Sequence, residues 1–341
     1  MKKIIPILIL SVMVMTLSAC QSMMEREIKK GMNRQKVGML TDGKLHVVLV
    51  GSGGPIVNTK RCSTSVAIMA NGEFILVDVG PGSVRNADLQ DLPLAALTGV
   101  FLTHFHSDHI AELGEANFQS WAQGRQKALA VYGPAGVDKV VQGFTLAYEQ
   151  DTTYRIEHHG EATMPPAASR PEAKTISFKD PARAELFFDR NGLKAYAFLV
   201  DHAPVKPAVG YRFEYKGNVV VLTGDTKKID ILTQQAKNAD LLICEALSFK
   251  TTALIGKVAS ENNRPRFAKI MSDILDYHMS PVQAGELARD AGAKKLVFYH
   301  IAPPVPNFLA KRLFLEGVSD VYKGEIILGE DGMAFTLDPR Q

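Results

Sequence analysis

The sequence predicts a mixed α/β sandwich, and three observations predict it. Short apolar runs alternate with helical stretches along most of residues 44–341. Turn pairs such as Asn71-Gly72 separate neighbouring apolar runs, which is typical of β-hairpins. The composition, 46% hydrophobic and 22% charged, is that of a globular protein, and 341 residues suffice for one large α/β domain or two small ones.

The predicted elements follow one another closely from residue 45 onward. We expect strands over 45–50, 65–69, 74–79, 100–103, 129–132, 193–200, 210–215, 219–223, 241–245, 295–299, 325–328 and 333–337. Helices are predicted from the end of the fourth strand to about residue 121, over roughly 135–149 and over about 281–291. The stretch 160–172 is rich in proline and is predicted to be a loop.

Residues 1–19 have the pattern of a signal peptide. Two lysines precede an apolar stretch that is too short and wrongly flanked for a membrane span. The end of this stretch, Leu17-Ser18-Ala19-Cys20, resembles the bacterial lipobox, which implies cleavage before Cys20 and lipidation of that thiol. The alternative is a plain secretory signal with an incidental cysteine.

The residue after the lipobox indicates the membrane to which the protein is sorted. Gln21, and not an aspartate, follows Cys20, and in Gram-negative sorting this resembles an outer-membrane address. We therefore expect an exported protein, lipid-anchored at the periplasmic face of the outer membrane. The polar residues 20–43 are predicted to be a tether between the anchor and the folded domain.

Export changes the charge and the cysteine count of the mature chain. The formal net charge is +3, and loss of Lys2 and Lys3 reduces it to about +1. A near-neutral body lacks the basic surface of a nucleic-acid binder, so we expect nucleic acid not to be a partner. Once Cys20 is acylated, Cys62 and Cys244 remain, and they either pair or stay as free thiols.

The segment from Thr103 to His109 carries the strongest chemical signal. It follows a buried strand, and alternate residues of extended chain point to the same side, so His104 and His106 can hold one metal ion. As the chain turns into a helix, Asp108 and His109 face a second position. Imidazole nitrogens and carboxylate oxygens suit zinc, and also manganese or iron. Two such metal ions can share and activate one water molecule.

This segment also resembles the HxHxDH signature of the metallo-β-lactamase superfamily. The resemblance implies a four-layer αββα sandwich and a hydrolase domain over residues 44–341. The strand ending in Asp78 resembles the family's first motif, in which the aspartate supports the site without binding metal. The Thr223-Gly224-Asp225-Thr226 segment resembles the motif whose aspartate bridges both metals.

Further motifs resemble the ribonuclease Z-like branch, which includes arylsulfatase-like enzymes. They are the His202-Ala-Pro segment with Gly210-Tyr211-Arg212, and the His278-Met279-Ser280 segment. The resemblance implies a complete ligand set and two catalytic residues. One metal is assigned to His104, His106 and His202, the other to Asp108, His109 and His300, with Asp225 bridging, while Asp108 orients the nucleophile and His278 stabilises or protonates the scissile group.

The mechanism expected for this ligand set is hydrolysis by a metal-bridging hydroxide, and zinc is the metal expected first.

Only 22 residues separate His202 from Asp225, so the long tRNA-gripping arm of true ribonuclease Z enzymes is missing. We therefore expect a small phosphodiester or an aryl sulfate ester as substrate. The alternatives are a ribonuclease Z-type phosphodiesterase or endonuclease acting on RNA, a thioesterase or lactonase, and a non-catalytic metal-binding lipoprotein. A homodimer is one of the oligomeric states that the sequence allows.

Residues 249–277 look like an insertion near the site. Their apolar residues recur at helical spacing, as Phe267, Ile270, Met271, Ile274 and Leu275 show. We expect this helix to pack on the core, with a cap over the site as the alternative.

Overall fold

The computed structural model describes residues 20–31 and 34–340. The predicted signal peptide, residues 1–19, therefore lies outside the described residues. Residues 20–31 are helical and exposed, and a short 3-10 helix, Val37–Leu40, leads into the first strand. Across the two described stretches, no helix is both long and apolar enough to cross a membrane. Cys20, Cys62 and Cys244 are all free thiols.

Within the described residues, fourteen strands form two sheets of seven strands each. The first sheet has the order β14-β1-β2-β3-β4-β5-β6, and the second has the order β13-β12-β11-β10-β9-β8-β7. The strands are β1 (Leu45–Gly51), β2 (Ser65–Ala70), β3 (Glu73–Val77), β4 (Gly99–Phe101), β5 (Ala130–Gly133), β6 (Glu172–Thr175), β7 (Glu185–Arg190), β8 (Leu193–Leu199), β9 (Val209–Tyr215), β10 (Asn218–Leu222), β11 (Leu241–Leu247), β12 (Lys295–Ala302), β13 (Glu325–Leu328) and β14 (Ala334–Leu337).

Helices cover the outer faces of the two sheets. They are α1 (Ser83–Leu89), α2 (Ser107–Ile110), α3 (Leu113–Ala122), α4 (Val137–His159), α5 (Pro166–Ser169), α6 (Asp230–Gln235), α7 (Phe249–Glu261), α8 (Pro265–Asp273), α9 (Pro281–Ala291), α10 (Phe308–Phe314) and α11 (Val318–Val321). Two further 3-10 turns span Leu94–Ala96 and Ile274–Asp276.

The strand β1 shows how the layers form. Its alternate residues Leu45, Val47 and Leu49 are buried between the two sheets. Val48 and Val50 point the other way and pack among side chains of the helical layer. A separate apolar cluster joins the second sheet to its own helices. The layers therefore run helix, sheet, sheet, helix, which confirms the predicted four-layer sandwich.

The structure departs from the predicted elements at several places between residues 130 and 190, besides the helices α1, α6, α10 and α11, which were also not predicted. The helix α4 continues ten residues past the predicted end, through a polar segment that sequence periodicity does not mark. The expected loop 160–172 contains the short helix α5. Strands β6 and β7 were not predicted because their outer residues are exposed and charged. The differences between residues 130 and 190 lie on one flank of the sandwich.

The strand ends that carry the candidate ligands meet at one edge. Strands β3, β4 and β5 run parallel in the first sheet, as do β10, β11, β12 and β13 in the second. Hydrogen bonds from β9 join the sheets there. The backbone N–H of Val209 donates to the carbonyl of Thr103, at 2.9 Å, and the hydroxyl of Tyr211 donates to the carbonyl of Leu102, at 2.6 Å.

Candidate metal centre

The first group of ligand atoms combines both sheets. His104 and His106 follow β4, and His106 is the N-cap of α2 in extended conformation. His202, from the loop after β8, and Asp225, from the loop after β10, complete the group. Each of these four residues offers a ligand atom within 4.8 Å of the others. The predicted ligands of the first metal are therefore assembled in one place.

The second group lies beside the first. The ligand atoms of Asp108, His109 and His300 are also within 4.8 Å of one another. His300 Nε2 is 3.2 Å from Asp108 Oδ2, and His109 Nε2 is 3.5 Å from the same oxygen. The structure thus brings together all three residues predicted to hold the second metal.

Asp225 stands between the two groups. Its Oδ2 is 3.4 Å from His109 Nε2 and 3.2 Å from His300 Nε2. The same oxygen is 4.0 Å from His104 Nε2 and 3.9 Å from His202 Nε2. This central position is the one expected of a bridging carboxylate.

Neighbouring groups fix the orientation of the histidine rings. Asp78 lies 2.8 Å from His109 Nδ1, and its two oxygens accept hydrogen bonds from the backbone and hydroxyl of Thr103. His202 Nδ1 donates to the carbonyl of Tyr277, at 2.9 Å. Each contact occupies Nδ1 and turns Nε2 toward the centre, as in many metal sites. Asp78 therefore has the supporting position that the sequence predicts.

Two residues of the site have unusual backbone angles. Asp78 has φ 59° and His300 has φ 45°, in the left-handed region that residues with side chains rarely adopt. Gly54 lies against the imidazole of His300, where an added Cβ would be 3.2 Å from the ring. Such strained conformations cluster at functional sites. Here these backbone angles direct the supporting carboxylate of Asp78 and the candidate ligand His300 toward the centre.

The residues present fit a pair of divalent cations. Within the described part of the chain, His109 Nε2, His202 Nε2 and Asp225 Oδ1 are buried and have no hydrogen-bond partner. Buried polar atoms almost always have partners, so these three atoms are the ones expected to bind a metal ion. Imidazole nitrogens and carboxylate oxygens are the donors that zinc, manganese and iron accept. The donor set thus indicates divalent metal binding without selecting the metal.

Burial keeps the first group of histidines neutral. It lowers the pKa of His104 well below its ordinary value and that of His202 to about 4. A metal ion binds only the unprotonated nitrogen. These two ligands are therefore ready to bind metal at neutral pH.

The second group is charged before metal binds. Burial opposes ionisation of Asp108, but the charges of His109 and His300 lower its pKa to about 2. Burial likewise opposes protonation of His300, but Asp225 and Asp108 raise its pKa to about 9. The same carboxylates, with Asp78, raise the pKa of His109 well above its ordinary value. The protons on His109 and His300 therefore neutralise the negative charges of the nearby carboxylates until a metal cation takes their place.

His278 lies beside the centre and is buried, with 9% of its surface exposed. Its Nδ1 is 3.1 Å from Glu245 Oε1, which also accepts hydrogen bonds from the backbone of Met279 and Thr226. The carboxylate therefore holds the ring in one orientation. Sequence reasoning did not assign Glu245 a role, although a glutamate in a buried apolar strand was a signal that could have found it.

A cavity of about 350 Å³ opens onto the ligands. Asp108, Asp225, His278 and His300 line one side of it, and helix α8 lines the other. The sequence predicts that this helix packs on the core, but only Met271 is buried there, while Phe267 and Ile270 are 40% and 46% exposed. Helix α8 therefore forms a wall of the site, and together with α7, against which it packs, it is called the capping hairpin below.

The chain belongs to the metallo-β-lactamase superfamily. The beta-lactamase superfamily domain family matches residues 73–301. A protein named ribonuclease Z from Mycobacterium bovis is 33% identical over 300 residues, which cover 87% of this chain and all of that relative. The ribonuclease Z of Mycobacterium tuberculosis strain H37Rv is 31% identical over 297 residues, with the same coverage.

Solved structures share the fold at lower identity. Human tRNase Z, short form, has a TM-score of 0.62 and 21% identity, and the match covers 86% of this chain and 99% of that one. The metallo-beta-lactamase fold protein YhfI from Bacillus subtilis has a TM-score of 0.60, 21% identity and the same coverage.

The expectation that nucleic acid is not a partner is wrong, because these relatives are named for action on RNA. The expected lack of an arm did not rule out this similarity, because the match spans the whole length of the Mycobacterium bovis relative. Net charge was also a poor guide, since it averages over the surface and omits the charge of bound metal ions.

Proposed function

We propose that this protein is a metal-dependent phosphodiesterase that cleaves RNA, in the manner that the name ribonuclease Z implies for its relatives. The observation that carries the proposal is the position of Asp225 between two complete ligand groups, with His278 at the edge of both. Identity of 33% along the full length of a relative named ribonuclease Z supports RNA as the substrate.

The metal ions, when bound, supply a hydroxide at neutral pH and neutralise charge on the phosphate. Asp108 has a pKa of about 2 and is a carboxylate at neutral pH. It can therefore accept a hydrogen bond from the attacking water and orient it, besides binding metal. Because Glu245 occupies Nδ1 of His278, only Nε2 of that ring faces the cavity. His278 would stabilise the leaving oxygen or give it a proton there.

A small phosphodiester is the second candidate substrate. The cavity is about 350 Å³ and has apolar walls, which suits a small ester as well as the end of a nucleic-acid strand. An aryl sulfate would bring the same single negative charge to the metal centre as a phosphodiester. However, no relative described above is named for hydrolysis of sulfate esters.

The test uses protein from residue 21 onward, loaded with zinc. Cleavage of a single-stranded RNA is compared with hydrolysis of an aryl sulfate, with a chelator and an Asp225→Ala variant as controls. We expect chelator-sensitive RNA cleavage that the variant loses by several orders of magnitude. Hydrolysis of the sulfate alone would overturn the proposal, and turnover of neither would redirect the search to thioesters, lactones or a binding role.

We further propose that the protein is exported from the cytoplasm and is held at a membrane by a lipid attached to Cys20. The proposal rests on the Leu17-Ser18-Ala19-Cys20 segment and on the exposure of Cys20 at the start of an exposed helical stretch. Membrane fractionation of the full chain and of Cys20→Ser tests it. The wild-type chain is expected in the outer-membrane fraction and the variant outside it. Equal distribution of both would contradict the anchor.

A further inference from the structure

The cavity at the metal centre and a groove on the capping hairpin share one wall residue, Phe267. Phe267 lines the cavity and also a groove of about 550 Å³, whose other walls include Leu254, Ile255 and Val258. The side chain of Phe267 is 40% exposed, so its ring is accessible. A ligand that passes over the ring of Phe267 would therefore contact both the cavity and the groove.

The groove also carries free positive charge. Arg264 lines the groove, and Arg266 is exposed two residues further on. Over residues 20–31 and 34–340, neither guanidinium has a side-chain hydrogen bond or ion pair. The hairpin lysines differ, since Lys257 pairs with Glu261 and Lys269 with Asp273. An unpaired guanidinium beside an apolar wall can bind a phosphate whose neighbouring group packs on that wall.

The hairpin is built to hold this surface close to the centre. Gly256 of α7 faces Met271 of α8, and an added Cβ would lie 3.2 Å from the Cβ of Met271. The missing side chain lets the two helices approach closely. Met271 is buried as a result, while Phe267 stays at the junction of groove and cavity.

We propose that this groove is a subsite for an unpaired stretch of the RNA strand next to the scissile phosphodiester. One base stacks on Phe267, and Arg264 binds a neighbouring phosphate. The inference rests on the proposed function. Proteins bind single strands by combining aromatic stacking with cationic contacts. A paired strand cannot use the subsite, because its bases are held inside the duplex and cannot be splayed out onto the ring.

The test compares three phosphodiesters that share a p-nitrophenolate leaving group. Their second ester group is methyl, a nucleoside or a hexyl chain. We expect the wild type to prefer the nucleoside ester, and Phe267→Ala to lower the nucleoside-to-methyl ratio of kcat/KM about tenfold, since stacking on one aromatic residue has about that effect. Phe267→Trp should keep the ratio. Preference for the hexyl ester, lost in Phe267→Ala, would instead make the groove an acyl-chain site and overturn the proposal.

A binding measurement separates this inference from the proposed function. Fluorescence anisotropy follows a labelled uridine oligonucleotide on metal-free protein, with Arg264→Ala and Phe267→Ala as variants. The matched control is Phe308→Ala, which removes a phenylalanine 80% exposed elsewhere on the surface. We expect both hairpin variants to weaken binding several-fold and the control to leave it unchanged. Weakened binding without any hydrolysis would refute only the proposed function, and unchanged binding would refute the subsite.

Discussion

Asp225 is the residue on which the arrangement of the site depends. Its Oδ2 approaches two histidines of the second group within 3.4 Å and two of the first group within 4.0 Å. It is 2% exposed, and the surrounding imidazoles hold its pKa well below its ordinary value, although burial alone would raise it. A carboxylate that is charged and buried among histidines is stable only when cations or protons surround it.

Asp78 supports the centre through His109, and its removal should weaken metal binding. We expect Asp78→Asn to lower zinc affinity roughly 10–100-fold, as loss of a carboxylate behind a histidine ligand typically does. Competition with a chromophoric chelator measures the affinity. The matched control is Asp42→Asn, because Asp42 pairs with His46 at 2.9 Å, away from the centre. Equal zinc affinity in wild type and Asp78→Asn would contradict the supporting role.

Metal uptake by the apoprotein should release protons. His300 has a pKa of about 9 and that of His109 is raised, so both are protonated at neutral pH before metal binds. A metal must displace these protons, so zinc affinity should rise with pH up to about 9, roughly tenfold per pH unit for each displaced proton. Calorimetry in buffers of different ionisation enthalpy measures the release. A pH-independent affinity between pH 6 and 9 would contradict the assignment.

At the scale of elements, the part of the candidate site that could be predicted from the sequence is the set of short motifs at strand ends. The ligands His104 to His109 follow a strand that the sequence marks clearly, and all seven candidate ligands lie where their motifs indicate. The pairing of Glu245 with His278 was not assigned from the sequence, although the buried glutamate was a signal, and the wall formed by the capping hairpin was only the alternative interpretation. Glu245 reaches His278 across 33 residues of chain. Whether the apolar face of α8 meets the core or a cavity depends on tertiary packing, which periodicity does not report.

The capping hairpin should respond to a side chain at Gly256. We expect Gly256→Val to push α8 away from α7, because the first carbon already meets Met271 at 3.2 Å. Overpacking of this kind costs about 1–3 kcal/mol. Hydrogen exchange of α8 should accelerate and kcat/KM should fall, while the sheets stay protected. Gly143→Val is the control, since that helical glycine has open space around it. Similar effects of both variants would show that helix propensity, and not packing, is responsible.

At the scale of the whole molecule, both sheets contribute to one centre. The segment after β4 in the first sheet carries His104, His106, Asp108 and His109, whereas the second sheet and its loops carry His202, Asp225 and His300. The centre therefore exists only when the two sheets are packed together. The motif resemblance predicted this sandwich, while the charge and length arguments misjudged nucleic acid because they describe the chain and not the site.

Metal binding should therefore stabilise the entire domain. An ion that binds only the folded protein raises the free energy of unfolding by about 2.7 kcal/mol at a hundredfold excess over its Kd. We expect Tm to rise with zinc in the wild type and to rise much less in Asp225→Ala. Differential scanning calorimetry at graded zinc concentrations measures this. A Tm that does not depend on zinc would contradict a centre shared between the sheets.

The most direct test of the central claim is a count of bound metal ions during turnover. Native mass spectrometry of zinc-loaded protein gives the number of ions per chain, and the same sample is assayed for cleavage of single-stranded RNA. We expect two zinc ions per chain in the active wild type, and loss of at least one ion together with activity in Asp225→Ala. Full RNA cleavage by protein carrying one ion, or by the variant, would contradict the account.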